Sequence, residues 1–331
     1  MPQEDKPQVQ ISIRGLTVEF RVPRGVLRAV DNVDLDIYRG EVLGLAGESG
    51  CGKSVLAHSL LKIVDPNGYI KSGKIIFDNK IDILSLSEDE LRKFRWKKIA
   101  IVFQGAQSAL NPVMRVQEHF LDTFLAHESE SDKEKILSRS ADLINKMRLD
   151  SERVLRLFPH EMSGGMKQRT IAALGLLLNP EFLILDEPTS SLDVLTQKYI
   201  LKLLRDLHEQ TGLTMLFITH DLATLAEIAE RIAVMYLASI VEIAPVEELF
   251  YNPKHPYTQV LLKALPSRKK SIDEIKPLPG PLPDPVNPPS GCKFHPRCSY
   301  AMPICKKVRP KLIDLGNGCQ VACHLYGGTK E

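Results

Sequence analysis

Apolar positions along the 331-residue chain fall into two kinds of pattern, alternating and continuous. Alternation at Ile11, Ile13, Leu16, Val18 and Phe20, resumed at Val30, Val33, Leu35 and Ile37, predicts two early strands. A turn at Pro23-Arg24-Gly25 separates them, and Arg39-Gly40 closes the second. Continuous apolar runs at 42–46, 99–103, 182–185 and 214–218 predict fully buried strands, with a shorter strand at 74–77. Helical spacing follows at Val55, Leu56, Leu60, Ile63 and Val64. A charged helix is expected over 88–98, with Glu88 placed four residues before Arg92 to form an ion pair on a solvated face. From 116 to about 162 the pattern is helical and strand-free, with Leu143, Ile144 and Met147 on one face and a break at Phe158-Pro159. Apolar helices are expected over 171–178 and 194–210. Strands alternating with helices around a helical insertion make this an α/β chain.

Chemistry concentrates where these elements meet. Gly47-Glu48-Ser49-Gly50-Cys51-Gly52-Lys53-Ser54 fits G-x-x-x-x-G-K-[ST] between the strand at 42–46 and a helix. Glycines there let consecutive N–H groups converge on phosphate oxygens, Lys53 reaches the β- and γ-phosphates, and Ser54 suits Mg²⁺. A second small-residue helix start, Ser163-Gly164-Gly165, has the same anion-binding character. The strand at 182–185 ends in Asp186 and Glu187, carboxylates suited to an Mg²⁺ contact and to polarising water. Gln104 and His220 also follow buried strands, where α/β sheets place ligand contacts, although a loop glutamine and a locally bonded histidine fit the same positions. Phe20 suits either adenine stacking or an edge of the core. Cys51, close to a helix start, is expected to have a lowered thiol pKa, so that alkylation would block ATP binding.

Composition narrows the reading. With 44% hydrophobic and 25% charged residues the chain is globular, and its length allows about two domains. A formal charge of +2 gives no bulk attraction to nucleic acid or a membrane surface. No run approaches the roughly 18 apolar residues of a membrane span, and the charged Met1-Pro2-Gln3-Glu4-Asp5-Lys6 start lacks a signal-peptide core. A cytoplasmic location is expected, with any membrane role exerted through partners. Five of the six cysteines lie between Cys292 and Cys323, which in a reducing compartment points to metal.

Taken together, these motifs resemble the ATP-binding subunits of ABC transporters from about Ile11 to Leu265. Residues 47–54 resemble Walker A, Gln104 the Q-loop glutamine, 162–166 the signature, 182–187 Walker B, 190–193 the D-loop and His220 the switch histidine. The signature departs from Leu-Ser-Gly-Gly-Gln at Met162 and Met166. The resemblance implies that two such domains sandwich two ATP molecules, each signature capping the nucleotide on the other's P-loop. With one P-loop, the chain is expected to pair with a second subunit. The resemblance assigns nucleotide contacts to Phe20, Gly47, Ser49, Gly50, Cys51, Gly52, Lys53, Ser54, Asp186, Ser163, Gly164, Gly165 and Asp193. It assigns Mg²⁺ to Ser54, Gln104 and Asp186, and catalysis to Glu187, His220 and Gln104. Ser108-Ala109-Leu110-Asn111-Pro112 and Asn252-Pro253-Lys254-His255-Pro256-Tyr257-Thr258 resemble the dipeptide/oligopeptide import branch, and the chain as a whole its D-type subunit. That implies a paralogous F-type ATP-binding subunit, two permeases and an extracellular solute-binding protein, with this chain on the cytoplasmic face of the membrane. Cargo in the branch is peptide, oligosaccharide or nickel. A soluble non-transport ABC ATPase and an idle regulatory partner are the alternative classes. The first generally carries two ATPase halves or a coiled-coil insertion, and intact Glu187 and His220 argue against the second.

Seven prolines between 277 and 289 predict an extended linker. Beyond it Cys292, Cys298, Cys305 and Cys323 resemble a C-terminal motif of the branch, which implies a [4Fe–4S] cluster. Tetrahedral zinc, with Cys319, His295 or His324 as further ligands, is the alternative. The expected architecture is therefore an α/β P-loop (RecA-like) core with an antiparallel β subdomain, a helical insertion and a small Cys-rich metal-bound tail. Its boundaries are an ATPase domain over 1–265 with a helical subdomain at about 105–165, a linker over 266–290 and a tail over 291–326.

Overall fold

The computed structural model describes residues 8–105, 108–128, 132–190, 192–264 and 280–327; Ser191 and the linker residues 266–279 lie outside them. The chain divides into two compact units, residues 1–84 with 219–331 and residues 85–218.

The first unit opens with β1 (Val9–Val22) and β2 (Gly25–Tyr38), followed by β3 (Val42–Ala46), α1 (Lys53–Ser59), β4 (Gly68–Phe77) and β5 (Ile81–Asp82). The second unit contains α2 (Glu88–Phe94), β6 (Ile99–Val102), α3 (Val116–Leu125), α4 (Lys133–Lys146), α5 (Ser151–Val154), α6 (Gly164–Gly175), β7 (Phe182–Asp186), α7 (Val194–Thr211) and β8 (Thr214–Ile218). The chain returns to the first unit with α8 (Leu222–Ile228), β9 (Arg231–Tyr236), β10 (Ser239–Pro245), α9 (Val246–Tyr251), α10 (Pro256–Lys263), β11 (Ile313–Gly316) and β12 (Cys319–Val321).

In the first unit, an antiparallel sheet in the order β2-β1-β4-β5 uses the alternation read from the sequence: Ile11, Ile13, Leu16, Val18, Val33, Leu35 and Ile37 all face its core. A mixed sheet in the order β11-β12-β10-β9-β3 holds the P-loop strand. There β3, buried at every position, runs parallel to β9, and the other neighbours are antiparallel. The tail thus has no core of its own. It adds β12 to β10, pairing Val321 with Glu242 and Gln320 with Ile243, and inserts Phe294 at 1% exposure.

In the second unit β6, β7 and β8 are parallel neighbours, each a short run of apolar side chains. The expected strand-free helical region is present in α3, α4 and α5. The charged helix is shorter than expected. It starts in a Ser87–Glu90 capping box but stops at Phe94, because Arg95 is extended and Trp96 takes a left-handed φ of 69°. That stop changes the ion pair: Glu88 meets Arg95 at 3.5 Å, in place of the Arg92 partner that helical spacing predicts.

Candidate functional site

The loop between β3 and α1 turns on three glycines of positive φ: Gly47 at 149°, Gly50 at 77° and Gly52 at 107°. Gly52 caps α1 in a left-handed conformation, which aims the helix start into the loop. Lys53 is buried, and its Nζ donates to the carbonyls of Gly47 at 2.8 Å and Glu48 at 3.1 Å. Its ammonium therefore sits inside the loop that would receive phosphate. Ser49 and Gly50 are exposed, and Ser54 is half-buried at the helix start.

Cys51 differs from expectation. Its thiol is 2% exposed, and burial pushes its pKa up, outweighing the nearby Lys53 ammonium. The lowered pKa expected at a helix start is absent because desolvation disfavours the thiolate more than the local positive charge favours it.

Phe20 lies near the end of β1, paired with Leu27 on one side and Gly68 on the other. A Cβ on Gly68 would collide with both the Phe20 ring and Val64, so this glycine makes room for the ring. His220 is exposed, two residues beyond β8 and next to Asp221, whose carboxylate caps α8 by accepting from the Ala223 N–H at 2.9 Å.

The second unit brings Gln104 and Glu187 together. They follow neighbouring parallel strands, β6 and β7, and Gln104 Nε2 donates to Glu187 Oε2 at 3.0 Å. Glu187 has a left-handed φ of 48°. The conformation is strained for a residue with a Cβ, and it is held on both sides. Its N–H donates to Ile218 O at 3.0 Å, and its carbonyl accepts from Ser190 N and Oγ at 3.1 and 2.9 Å. Asp186, by contrast, is fully buried at the last position of β7.

Ser163 caps α6, accepting from Met166 N at 3.3 Å, so Gly164 and Gly165 lie in the first turn of a twelve-residue helix. That helix starts earlier than the apolar pattern at 171–178 predicts. Asp193 caps α7, its carboxylate accepting from Leu195 N, Thr196 N and Thr196 Oγ1; these bonds hold its pKa below the usual carboxylate value.

Four tail thiols form a set. Burial, with charge repulsion from Cys305, Cys323 and Cys298, raises the pKa of Cys292 to about 11; Cys305 acts in the same direction on Cys298 and Cys323. The Cys305 sulfur accepts the Met302 N–H at 3.5 Å, and the backbone at Phe294, Tyr300 and Leu325 favours the thiolates of Cys292, Cys298 and Cys323. Cys319 stands apart, its thiol donating to Asn317 O at 3.8 Å and its charged neighbours being Glu248, Lys254, Glu242 and Asp314. Among the described residues, no three His, Cys, Asp or Glu side chains close on a single point suited to one metal ion.

Residues 30–190 match the family model described as "ABC transporter", and residues 241–305 match "Oligopeptide/dipeptide transporter, C-terminal region". The chain is 46% identical over 316 residues to the dipeptide transport ATP-binding protein DppD of Caldanaerobacter subterraneus subsp. tengcongensis, covering 96% of this chain and 97% of that one. It belongs to the ATP-binding subunits of dipeptide and oligopeptide ABC transporters. The oligopeptide transport ATP-binding protein OppD of Bacillus subtilis is 40% identical over 310 residues, covering 93% of this chain and 86% of that one. Among solved structures, the dimeric post-hydrolysis state of the ATP-binding cassette MJ0796 bound to ADP and Pi is similar, with a TM-score of 0.63 and 29% identity over 71% of this chain and 98% of that one.

For an ABC ATPase of this branch, the part of the site that sequence reasoning missed is Glu48. Its N–H donates to the Tyr257 hydroxyl at 3.0 Å, and its carboxylate accepts from Arg297 Nη1 and Nη2 at 3.0 and 3.1 Å. Tyr257 comes from the His-Pro-Tyr-Thr stretch after the last strand of the core. There, buried His255 caps α10 by accepting from Tyr257 N at 3.0 Å. Arg297 is 249 residues from Glu48 and lies between two cysteines, so no local pattern announces the contact.

Proposed function

We propose that this chain is the ATP-hydrolysing subunit that powers a dipeptide or oligopeptide importer, and that its own residues divide the work as follows. The observation that carries the reading is 46% identity over 96% of the chain to a dipeptide transport subunit, in a chain that carries Lys53, Ser54, Asp186, Glu187 and His220. The N–H groups at the α1 end of the loop and the Lys53 ammonium take the β- and γ-phosphates. Phe20 stacks on adenine. The donor set of Ser54 hydroxyl, Asp186 carboxylate and Gln104 amide fits Mg²⁺, whose chemistry is to neutralise charge on the phosphates. Glu187 orients and polarises the attacking water, and His220 contacts the γ-phosphate. The Gln104 bond to Glu187 supports this division, since it fixes the direction of the carboxylate.

Ser163, Gly164, Gly165 and Asp193 act on the nucleotide of a second ATP-binding subunit, an F-type paralogue. Similarity to a dimeric cassette bound to ADP and Pi supports that pairing. No helix among the described residues is long and apolar enough to cross a membrane. Attachment is therefore through two permeases at the inner face, with a solute-binding protein delivering cargo outside. The names of the relatives favour peptide over oligosaccharide or nickel. The test is ATP turnover by the assembled importer and by Glu187→Gln. We expect the variant to retain bound ATP and to lose hydrolysis by about 10²–10⁴-fold; unchanged hydrolysis would sink the assignment.

In the tail, Cys292, Cys298, Cys305 and Cys323 are assigned a [4Fe–4S] cluster, with Cys319 outside it. The chemistry of the donor set supports this: the four thiols lie close enough for charge on each to act on the others, and the Cys305 sulfur accepts the Met302 N–H. Bound there, the group would cross-link a segment that has no core of its own. Anaerobically purified protein should contain iron and acid-labile sulfide, both lost in Cys298→Ser and kept in Cys319→Ser. Colourless protein with stoichiometric zinc would overturn the assignment.

A further inference from the structure

Every polar group of Glu48 is engaged. Its N–H is held by Tyr257, its carbonyl accepts from Lys53 Nζ at 3.1 Å, and its carboxylate is gripped by both terminal nitrogens of Arg297. The Arg297 side chain is only 4% exposed and that of Glu48 20%, so solvent does little to screen the pair. Arg297 is itself fixed. Its Nη1 also reaches the Tyr236 hydroxyl at 3.4 Å, and its guanidinium lies 5.8 Å from the centre of the Tyr236 ring. Tyr236, Tyr257 and Phe294 pack ring against ring, with centroids 4.7–5.4 Å apart. The forked, planar geometry matters, because a two-pronged contact fixes direction as well as distance.

The same tail segment holds the loop at a second point. Lys293 Nζ donates to Leu237 O at 2.6 Å and to Ser239 Oγ at 3.0 Å, and pairs with Asp31 at 2.8 Å. The turn it grips, Leu237–Ala238, holds the P-loop directly: Ala238 N donates to Cys51 O at 2.8 Å. Arg309 closes the arrangement on Asp31 at 2.8 Å. Glu48 and Cys51, two of the four variable residues of the loop, are thus tied to a segment about 250 residues later in the chain.

We propose that Arg297 is a positioning residue for ATP: by clamping Glu48 it keeps the P-loop in its phosphate-receiving shape, so that the cysteine-bearing tail is a structural part of the nucleotide site. The inference rests on the P-loop being the ATP site. A loop already ordered loses less conformational freedom when ATP binds, and that difference appears as affinity. Arg297 touches neither phosphate nor water in this scheme, so its loss acts on binding and not on the chemical step.

The test measures equilibrium binding of ATP to the full chain, and KM and kcat of the assembled importer, for Arg297→Met, Arg297→Lys and Glu48→Gln. Glu48→Gln is nearly isosteric and guards against a folding defect in the arginine variants. Arg297→Met and Glu48→Gln should each weaken ATP binding by about tenfold, with KM raised to match and kcat within about twofold. Arg297→Lys should recover part of the loss, and the double variant should bind no worse than either single one. Binding within twofold of wild type in both single variants, or losses that add in the double variant, overturns the clamp. Failure of the wild-type chain to bind ATP would instead overturn the nucleotide reading on which the clamp rests.

Discussion

The P-loop glycines are not equivalent in the structure, and substituting each with alanine should separate backbone strain from collision. Gly50, at φ 77°, has nothing within 4 Å of the position a Cβ would occupy. Gly50→Ala therefore incurs left-handed strain alone, about 1–2 kcal/mol. Gly52, at φ 107°, would drive its Cβ into the carbonyl oxygen of Ala29 on β2, with the carbonyl carbon at 3.2 Å and Met235 Cε at 3.0 Å. Gly47, at φ 149°, would drive one into the Met235 carbonyl oxygen on β9, with Cys51 Sγ at 2.8 Å. In both cases the obstacle is a strand backbone, which cannot rotate away as a side-chain tip can.

Strain of roughly 1–3 kcal/mol at such a φ, with displacement of the loop added, puts Gly47→Ala and Gly52→Ala at about 3 kcal/mol or more. For a unit of this size, 1 kcal/mol moves the unfolding midpoint by about 2–4 °C. Thermal unfolding without nucleotide should lower the midpoint by about 2–8 °C for Gly50→Ala and by about 6 °C or more for the other two. The stabilisation that saturating ATP confers should persist in Gly50→Ala and vanish in Gly52→Ala, because displacement removes the site itself. Equal midpoint losses at Gly50 and Gly52 would refute the reasoning.

Two further outcomes follow from buried titratable groups. Burial pushes the pKa of His255 down to about 3, so below its ordinary value near 6.5 the unfolded chain binds a proton that the folded chain refuses. Its contribution to stability should fall by about 1.4 kcal/mol per pH unit as pH drops from 6.5 towards 3. His255→Asn, which retains an acceptor for the Tyr257 N–H, should lack that component in denaturant titrations; parallel pH profiles for the two proteins would count against it. Cys51, buried and with its pKa raised, should react with a maleimide more slowly than an exposed thiol whether or not ATP is present. Rapid labelling in the native state would contradict the burial.

Where a single local cause sets the structure, it was legible in the sequence. Strands β3 and β8 and the helix α7 lie where their apolar patterns place them, because a buried parallel strand must be apolar throughout and a helix repeats its apolar face at fixed spacing. The early part of β4, Gly68 to Gly73, was not legible. It carries exposed residues such as Tyr69 and Lys71 and is a strand because β1 pairs with it. Tail strands β11 and β12 were hidden for the same reason: three or four residues each, they exist through pairing with each other and with β10. The Gln104–Glu187 bond was within reach, since both residues follow buried runs, whereas the Glu48–Arg297 contact depends on where a tail 249 residues away comes to rest.

That contact changes the meaning of the branch-specific stretches. Asn252–Thr258 and the first part of the cysteine segment, Cys292 to Cys305, lie in the matched C-terminal region of oligopeptide transporters, a name that invites a role in recognising cargo. Their side chains point to another role. Glu242 accepts from Lys254 N at 2.7 Å and His255 N at 2.9 Å, His255 caps α10, and the cap fixes Tyr257 beneath Glu48. From the other side Phe294 fills the space between Tyr236 and Tyr257, which sets Arg297 against the same carboxylate. Both stretches therefore converge on one P-loop residue, Glu48. In this chain the contacts of both stretches brace the ATP loop.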